Sequence, residues 1–552
     1  MKTVRRVLTG GLLFGFGGVY LALVGLLEMM QARPIVFGVV NLGQAVLALL
    51  ALASGVVVAR DSESAIERAG RGLLGGLVAG VLMALLQIVI AAVPLQGMFI
   101  AASPALRSLL AFGLAPEPGA LAMLLGGAVG GLAGAVLATT VPSLRRAIVS
   151  GAAAVVLAGV FQELIQLMMQ YEGIVGWIRD FVYTWQGLRP EGAIAIFVIV
   201  GAASLALSQR RSADHVPSPE QRRRWRFITA GGALLVLVLM PLLAGAYIGE
   251  VLMLVGLYIL MGMGLNLEVG LAGLLDLGFV AFFAVGAYTT ALLTAGSSIA
   301  LLHLSYWEAM PIAVLVSVLG GVLFGLPVLG VRGDYLAVAT LGLGEIVRII
   351  VLSDFAAPLL GGPQGVLEIP KPSIGNFQLG TPVKLFYLTL ACAAVAAFIA
   401  WRLENSRLGR AWEALRDDED VAQALGVNLI RSKLLAYGLG AAFAGLGGSI
   451  FATMLGSVYP SSFQLLISIN VLALIIVGGM GSLPGVVLGA IALIGLPELL
   501  REFGEYRYLF YGAALIVMMR WKPEGLWPSE VRSRELHAAA GEAEPVAALE
   551  PG

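Results

Sequence analysis

Between residues 7 and 520 the chain returns again and again to uninterrupted apolar runs. A run of about 20 residues wound as an α-helix crosses a hydrocarbon core of roughly 30 Å, and a helix satisfies its own backbone there, where water cannot. The composition follows the pattern: 59% of residues are apolar and 12% charged, against about 45–50% and roughly 25% in soluble domains. Short alternating strands, the mark of a membrane barrel, are not visible in the pattern. The expected fold is an all-α polytopic membrane protein with about 16 hydrophobic segments, some of them re-entrant, in two helical membrane domains.

Six segments come first, near 7–29, 35–59, 72–95, 119–140, 147–170 and 192–208. The stretch QRRSADHVPSPEQRRRWR at 209–226 then carries six arginines, two prolines and no apolar periodicity, and reads as a linker. Ten further segments lie near 228–246, 248–266, 270–296, 310–331, 335–353, 383–401, 434–457, 463–480, 482–500 and 506–520. The organisation expected is a six-span membrane domain at 1–208, the Arg-rich linker at 209–226, a second membrane domain at 227–530 and a disordered tail at 531–552. Lys2, Arg5 and Arg6 imitate the start of a signal peptide, but the run at 7–27 is longer than a usual apolar region and lacks a clear cleavage site. It is expected to stay as a span.

Cytoplasmic loops carry an excess of Lys and Arg. With the N-terminus inside, Arg60, Arg68, Arg71, Arg145, Arg146 and the linker all fall inside. The same parity places the 402–433 segment and Arg520, Lys522, Arg532 and Arg534 there as well, so both termini are expected in the cytoplasm. The run GGMGSLPGVVLGAIALIGLPELL at 478–500, broken by Gly and Pro, is where irregular backbone is expected. Small-residue-rich spans such as GALAMLLGGAVGGLAGAVLATT at 119–140 predict close helix packing. Gln162, Glu163 and Gln166 form a polar cluster at helical spacing, read as an interface or helix-end feature.

Formal net charge is zero, which gives no bulk attraction to nucleic acid. Cys392 is the one cysteine, so no intrachain disulfide forms. His215, His303 and His537 are too scattered to suggest a metal centre.

Against this background, GRAWEALRDDEDVAQALGVNLIRSKL at 409–434 stands out with nine charged residues. Asp417 or Asp418 is placed to cap a short helix, Glu419 and Asp420 suit its positive end, and Gly426 ends it. Val421, Ala424 and Leu425 stand at i, i+3 and i+4 and form one apolar face on a helix barely two turns long. Such a helix is not stable alone and needs a surface, on its own protein or on a partner. On these features a docking element and an ordinary solvated loop stand level.

Several separated motifs tip that balance. The charged stretch, LLAYGLGAAFAGLGGSIFA at 434–452 and ALIIVGGMGSLPGVVLGA at 473–490 resemble the LivM-type permease subunits of branched-chain amino-acid ABC importers. So do GLNLEVGLAGLLDLGFVAFFAVGAYTTALL at 264–293, GDYLAVATLGLGEIVRI at 333–349 and GGPQG at 361–365, in the family's order, across about residues 228–530. The resemblance implies a coupling loop at 402–433 that docks on an ATPase subunit, with Glu413, Ala414 and Gly426 nearest to the family's coupling motif at a longer spacing. Asp417, Asp418, Val421, Ala424 and Leu425 are the other coupling candidates. It also implies two ABC ATPase subunits carrying ATP and Mg, a second, H-type permease, an extracytoplasmic solute-binding protein, and residence in the inner membrane. Residues 1–210 do not resemble the H-type permease and read as an accessory membrane domain.

A phosphate-binding loop needs a Lys after Gly. Lys2, Lys371, Lys384, Lys433 and Lys522 are the only lysines and none follows a glycine, so ATP chemistry must be supplied by another chain. No cofactor is expected on this one.

Ionisable residues inside membrane segments are costly and face protein or a water-filled path. Asp276 is isolated in LAGLLDLGFVAFF and lies either in the pathway or at a solvated helix end. Glu345 and Arg348, three apart, are placed to pair on one helix face, as a pathway feature or as a structural ion pair. The resemblance adds Gly333, Asp334, Tyr335, Gly361, Gly362 and Gly365 as pathway candidates. The alternative reading is an ATP-independent secondary transporter or channel for small polar solutes, for which Asp276 and Glu345 are the titratable candidates. A membrane enzyme has no catalytic dyad, metal-ligand cluster or nucleophile motif to support it.

Overall fold

The computed structural model describes residues 2–528 apart from 61–63, 94, 100, 170–173, 212–218, 298, 329, 332, 505 and 523. The expected tail at 531–552 and the centre of the expected linker, 212–218, lie outside the described residues. The chain divides into two compact units, Met1–Ala230 and Gly231–Gly552.

Among the described residues, eleven helices are long and apolar enough to cross a membrane, and three shorter apolar helices accompany them. The architecture is that of an all-α polytopic membrane protein.

The first unit is built on α1 (Lys2–Leu23), α2 (Leu42–Ala59), α3 (Ala65–Ala92), α4 (Pro116–Thr139), α5 (Pro142–Val160) and α6 (Pro190–Arg211). Asn41 and Gln44 start α2 with a reciprocal capping box, and Ser64 caps α3. Small residues set the α3–α4 contact: a Cβ on Gly76 would lie 2.1 Å from the Gly127 carbonyl, and one on Gly131 would lie 2.2 Å from that of Gly72. The two backbones touch because both surfaces are glycine, the packing that the 119–140 segment predicts. Four very short strands, β1 (Pro34–Val36), β2 (Val40–Asn41), β3 (Tyr183–Thr184) and β4 (Gly187–Leu188), pair in the order β2-β1-β4-β3. The Gln166 side-chain amide donates to the Thr184 carbonyl at 3.1 Å, so that member of the polar cluster ties a short helix, Gln162–Met168, to this sheet.

The second unit begins in α7 (Pro219–Leu265), whose helical geometry breaks at Gly245 (φ 83°), four residues after Pro241. The break at Gly245 separates two helices, at the boundary expected between the segments 228–246 and 248–266. After α7 come α8 (Val280–Thr294), α9 (Tyr306–Val328), α10 (Asp334–Leu352) and α11 (Pro382–Glu404). They are followed by the short α12 (Arg407–Asp417) and α13 (Glu419–Ala424), and then α14 (Leu429–Leu455), α15 (Leu465–Gly478), α16 (Leu483–Ala490) and α17 (Tyr506–Trp521). Backbone irregularity occurs within 478–500, as a positive-φ break at Gly479 and Gly481 and a π-helical turn at Ile491–Gly495. A second irregular stretch holds Gly270, Gly273 and Gly278: α7 runs into a π-helical turn, Asn266–Leu271, and the chain then stays non-helical until α8.

The core of this unit gathers side chains from α7 through α16. At its centre Phe283 of α8 packs on Phe451 of α14 and on Phe463, with ring centroids 5.1 and 5.7 Å apart. α8 lies hard against α14, since a Cβ on Gly448 would stand 2.1 Å from the Phe283 carbonyl.

Candidate functional site

The charged stretch folds into two small helices held on the base of α14. Ser406 caps α12 through the amides of Leu408 and Gly409. Trp412 is fully buried, and its indole N–H donates to the Ser432 carbonyl at 2.9 Å. Asp418 is the residue that caps α13, its Oδ1 accepting from the amides of Asp420 and Val421 at 2.8 and 3.0 Å. Gly426, at φ 91°, follows the helix, and the Val427 amide reaches back to the Ala422 carbonyl at 3.0 Å. Lys433 Nζ meets Glu419 Oε1 at 2.8 Å and pins the start of α13 to α14.

The side of α13 that packs on its own protein is Ala422, which is buried. Val421 is 54% exposed and Leu425 77%, and Ala424 is exposed beside them. Asp417 and Asp418 are also exposed, whereas Glu413 and Ala414 are half-buried on α12. The apolar stripe therefore finds no cover within the described chain.

α12 also grips the irregular stretch after α7. The Arg416 guanidinium donates to the Gly270 carbonyl at 2.9 Å, and its aliphatic stem fills the space beside Gly273, where a Cβ would come within 2.8 Å of Cγ. Asn266, at the start of the same turn, accepts from the Gly481 amide at 2.9 Å, which joins the two irregular regions. π-turns inside helices recur at functional sites.

Two carboxylates flank the gripped residues. Asp276 is buried rather than solvated, and Glu268, which sequence reasoning passed over, is completely buried as well. Their carboxyl groups are within hydrogen-bonding reach of each other. The Gly278 amide donates to Asp276 Oδ1 at 2.7 Å, and Glu268 rests against Gly440 of α14, where a Cβ would sit 1.8 Å from Oε1.

The other pathway candidates spread along α10. Glu345 and Arg348 pair as their spacing predicts, with Nε to Oε1 at 2.9 Å, but both are partly exposed on the flank of the chain rather than buried. A small cavity beside Asp276 and a second one reaching Arg348 share Ala281 and Gly344, so both lie along the α8–α10 seam. Each leaves about 10 Å³ for the centre of a water molecule, so the seam is closed in this conformation. Gly333 caps α10 with φ 60° and Tyr335 is exposed at that end; Asp334 begins the helix, and its side chain lies outside the described residues.

Gly361, Gly362 and Gly365 lie beyond the other end of α10, in a tight loop of positive-φ residues. A Cβ on Gly365 would stand 1.9 Å from the Val458 carbonyl, and Val366 and Val458 exchange backbone hydrogen bonds of 3.0 and 2.8 Å. Lys371 from the same connection donates to the carbonyls of Thr453 and Met454 at the end of α14, at 2.7 and 2.6 Å; partial burial holds its pKa below the usual lysine value. The structure thus brings Asp276 and Arg348 to one seam and places the glycine candidates at the two ends of α10.

Residues 247–519 match the family model described as the branched-chain amino acid transport system permease component. The high-affinity branched-chain amino acid transport system permease protein LivM of Escherichia coli (strain K12) is 41% identical over 320 residues, 54% of this chain and 74% of that protein. The chain belongs to the LivM permease family. The LivM of Salmonella typhimurium (strain LT2) is 42% identical over 295 residues, covering 49% of this chain and 68% of its own. The permease LivH of Escherichia coli (strain K12) is more distant, 28% identical over 176 residues, 31% of this chain and 55% of that protein. No solved structure matches. The family match contains the coupling candidates, the carboxyl pair and the whole α10 seam, and begins after α1 to α6. As a LivM-family permease with eleven candidate spans, the chain is a multi-pass membrane protein.

Proposed function

We propose that this chain is the permease subunit of an ATP-driven importer for branched-chain or related amino acids in the cytoplasmic membrane. In this reading two ABC ATPases, which carry ATP and Mg, dock from the cytoplasm on the loop at 402–433. A second, H-type permease completes the translocation pathway, and an extracytoplasmic binding protein delivers the solute. Both termini are cytoplasmic, residues 1–208 form an accessory membrane domain, and residues 227–530 form the permease domain.

One observation carries the reading: a two-turn helix is anchored by Asp418, Lys433 and Ala422, yet turns Val421 and Leu425, 54% and 77% exposed, away from its own protein. An isolated helix of six residues would not hold its shape in water. Its scaffold holds it, and its apolar face remains available to a partner. Movement of that partner passes through α12 and Arg416 to residues 270–273, so the docking surface and the α8–α10 seam are mechanically joined.

Co-purification of the tagged full-length chain with its candidate ATPases tests this. Wild type is expected to retain the ATPase, and a variant carrying Val421→Asp and Leu425→Asp to lose it while keeping its helicity and elution volume. Full ATPase retention by the folded variant would refute the docking role.

A further inference from the structure

Glu268 and Asp276 bury two carboxyl groups side by side with no cation between them. The charged groups of the surrounding elements are engaged elsewhere: Arg416 of α12 with the Gly270 carbonyl, Lys433 of α14 with Glu419, and Arg348 of α10 with Glu345. α8 carries no charged residue. Tyr437 of α14 is the titratable group nearby; it is buried and lines the small cavity that Asp276 and Thr340 also line.

The hydrogen bonds are incomplete in a telling way. Asp276 Oδ1 accepts from Gly278, but Asp276 Oδ2 and both oxygens of Glu268 have no donor, and the Tyr437 hydroxyl has no acceptor. Two ionised carboxylates cannot hydrogen-bond to each other, and buried like charges at this range cannot both persist. One added proton lets the two carboxyl groups hydrogen-bond to each other, a carboxylic acid donating to the neighbouring carboxylate.

We propose that Glu268 and Asp276 form a proton-binding site that holds one shared proton between the two carboxyl groups in this conformation. A metal ion fits the site poorly. Hard divalent cations require about six or more oxygens, the space beside the pair is about that of one water, and no cluster of three metal-ligating side chains occurs among the described residues. The site brackets residues 270–273, which Arg416 grips, so a shift of α12 acts on the geometry that holds the proton. This assignment stands apart from the transport reading, because it is settled on the chain alone without ATPase or solute.

Infrared spectroscopy of the purified full-length chain is the test. At neutral pH wild type is expected to show the C=O stretch of a protonated carboxyl, moved by deuterium exchange and corresponding to one group per chain. Glu268→Gln and Asp276→Asn each imitate the protonated partner and donate to the remaining carboxylate, so each is expected to fold and to lose the band. Tyr437→Phe is expected to keep the band. Absence of the band from wild type, or its survival in both carboxyl variants, overturns the proposal. So does a wild-type chain without the band that is stabilised by Na⁺ when Glu268→Gln is not, since that would make the pair a cation site. If neither variant folds, absence of the wild-type band still overturns the proposal.

Discussion

The pairing of Glu419 with Lys433 makes an asymmetric prediction about the coupling loop. At 2.8 Å two unit charges in an effective dielectric of about 20 attract by roughly 6 kcal/mol before desolvation is subtracted. The two partners are unequally buried: the Lys433 side chain is 4% exposed and that of Glu419 21%. Glu419→Gln therefore strands an ammonium where water cannot reach it, at a cost of about 3 kcal/mol. Lys433→Met instead fills the buried site with an apolar chain and leaves a carboxylate near the surface, at about 1 kcal/mol or less. Local opening of α13 is read by amide hydrogen exchange, which reports the free energy of that segment rather than of the whole chain. The expected acceleration across α12 and α13 is on the order of 100-fold for Glu419→Gln and about 5-fold for Lys433→Met. A change below about 3-fold for Glu419→Gln, or a larger effect for Lys433→Met, would refute the claim that this ion pair pins the helix.

Two further outcomes follow from the same geometry. Asp418→Ala removes both cap bonds to α13 at a cost of about 1 kcal/mol, so exchange of the Asp420 and Val421 amides should rise about 5-fold while α12 is unchanged. Gly365→Ala places a Cβ 1.9 Å from the Val458 carbonyl at a residue of φ 65°, so it should break the Val366–Val458 bridge, lowering solute uptake in membranes while ATPase co-purification stays at wild-type level. Equal loss of both would show that the loop at 361–365 supports the whole fold instead.

What could be read from the sequence was mostly what short-range chemistry decides. The cap at Asp418, the stop at Gly426 and the pairing of Glu345 with Arg348 depend on residues within four positions of one another, and each is present. The outward facing of Val421 and Leu425 could not be read, because an i, i+3, i+4 stripe looks the same whether it covers its own protein or a partner. Glu268 was missed for a different reason. A helix would carry Asp276 two turns past Glu268, about 12 Å along the axis, so nothing in the spacing made them partners. The π-turn and the non-helical backbone after it fold the chain back and bring the two together. The glycine candidates at 333 and 361–365, which the resemblance supplied, are not one cluster, because the 19 residues of α10 put about 28 Å between its ends.

The stiffness of the loop matters more to its proposed role than its charge does. A docking helix that gave way under load would spend a partner's movement on its own deformation. Here each joint resists that. Trp412 fills a buried socket and hydrogen-bonds across to α14, Lys433 ties the next helix to the same turn, and Arg416 closes the third side on Gly270. One step further in, the π-turn and the non-helical residues after it leave the backbone without a regular helical ladder. In the proposed coupling, a displacement applied at Val421 and Leu425 passes to the stretch that carries the two buried carboxyls, next to the seam between α8 and α10. In the proposed docking role the charge of this one loop has a mechanical task, since caps and ion pairs hold its two short helices in place.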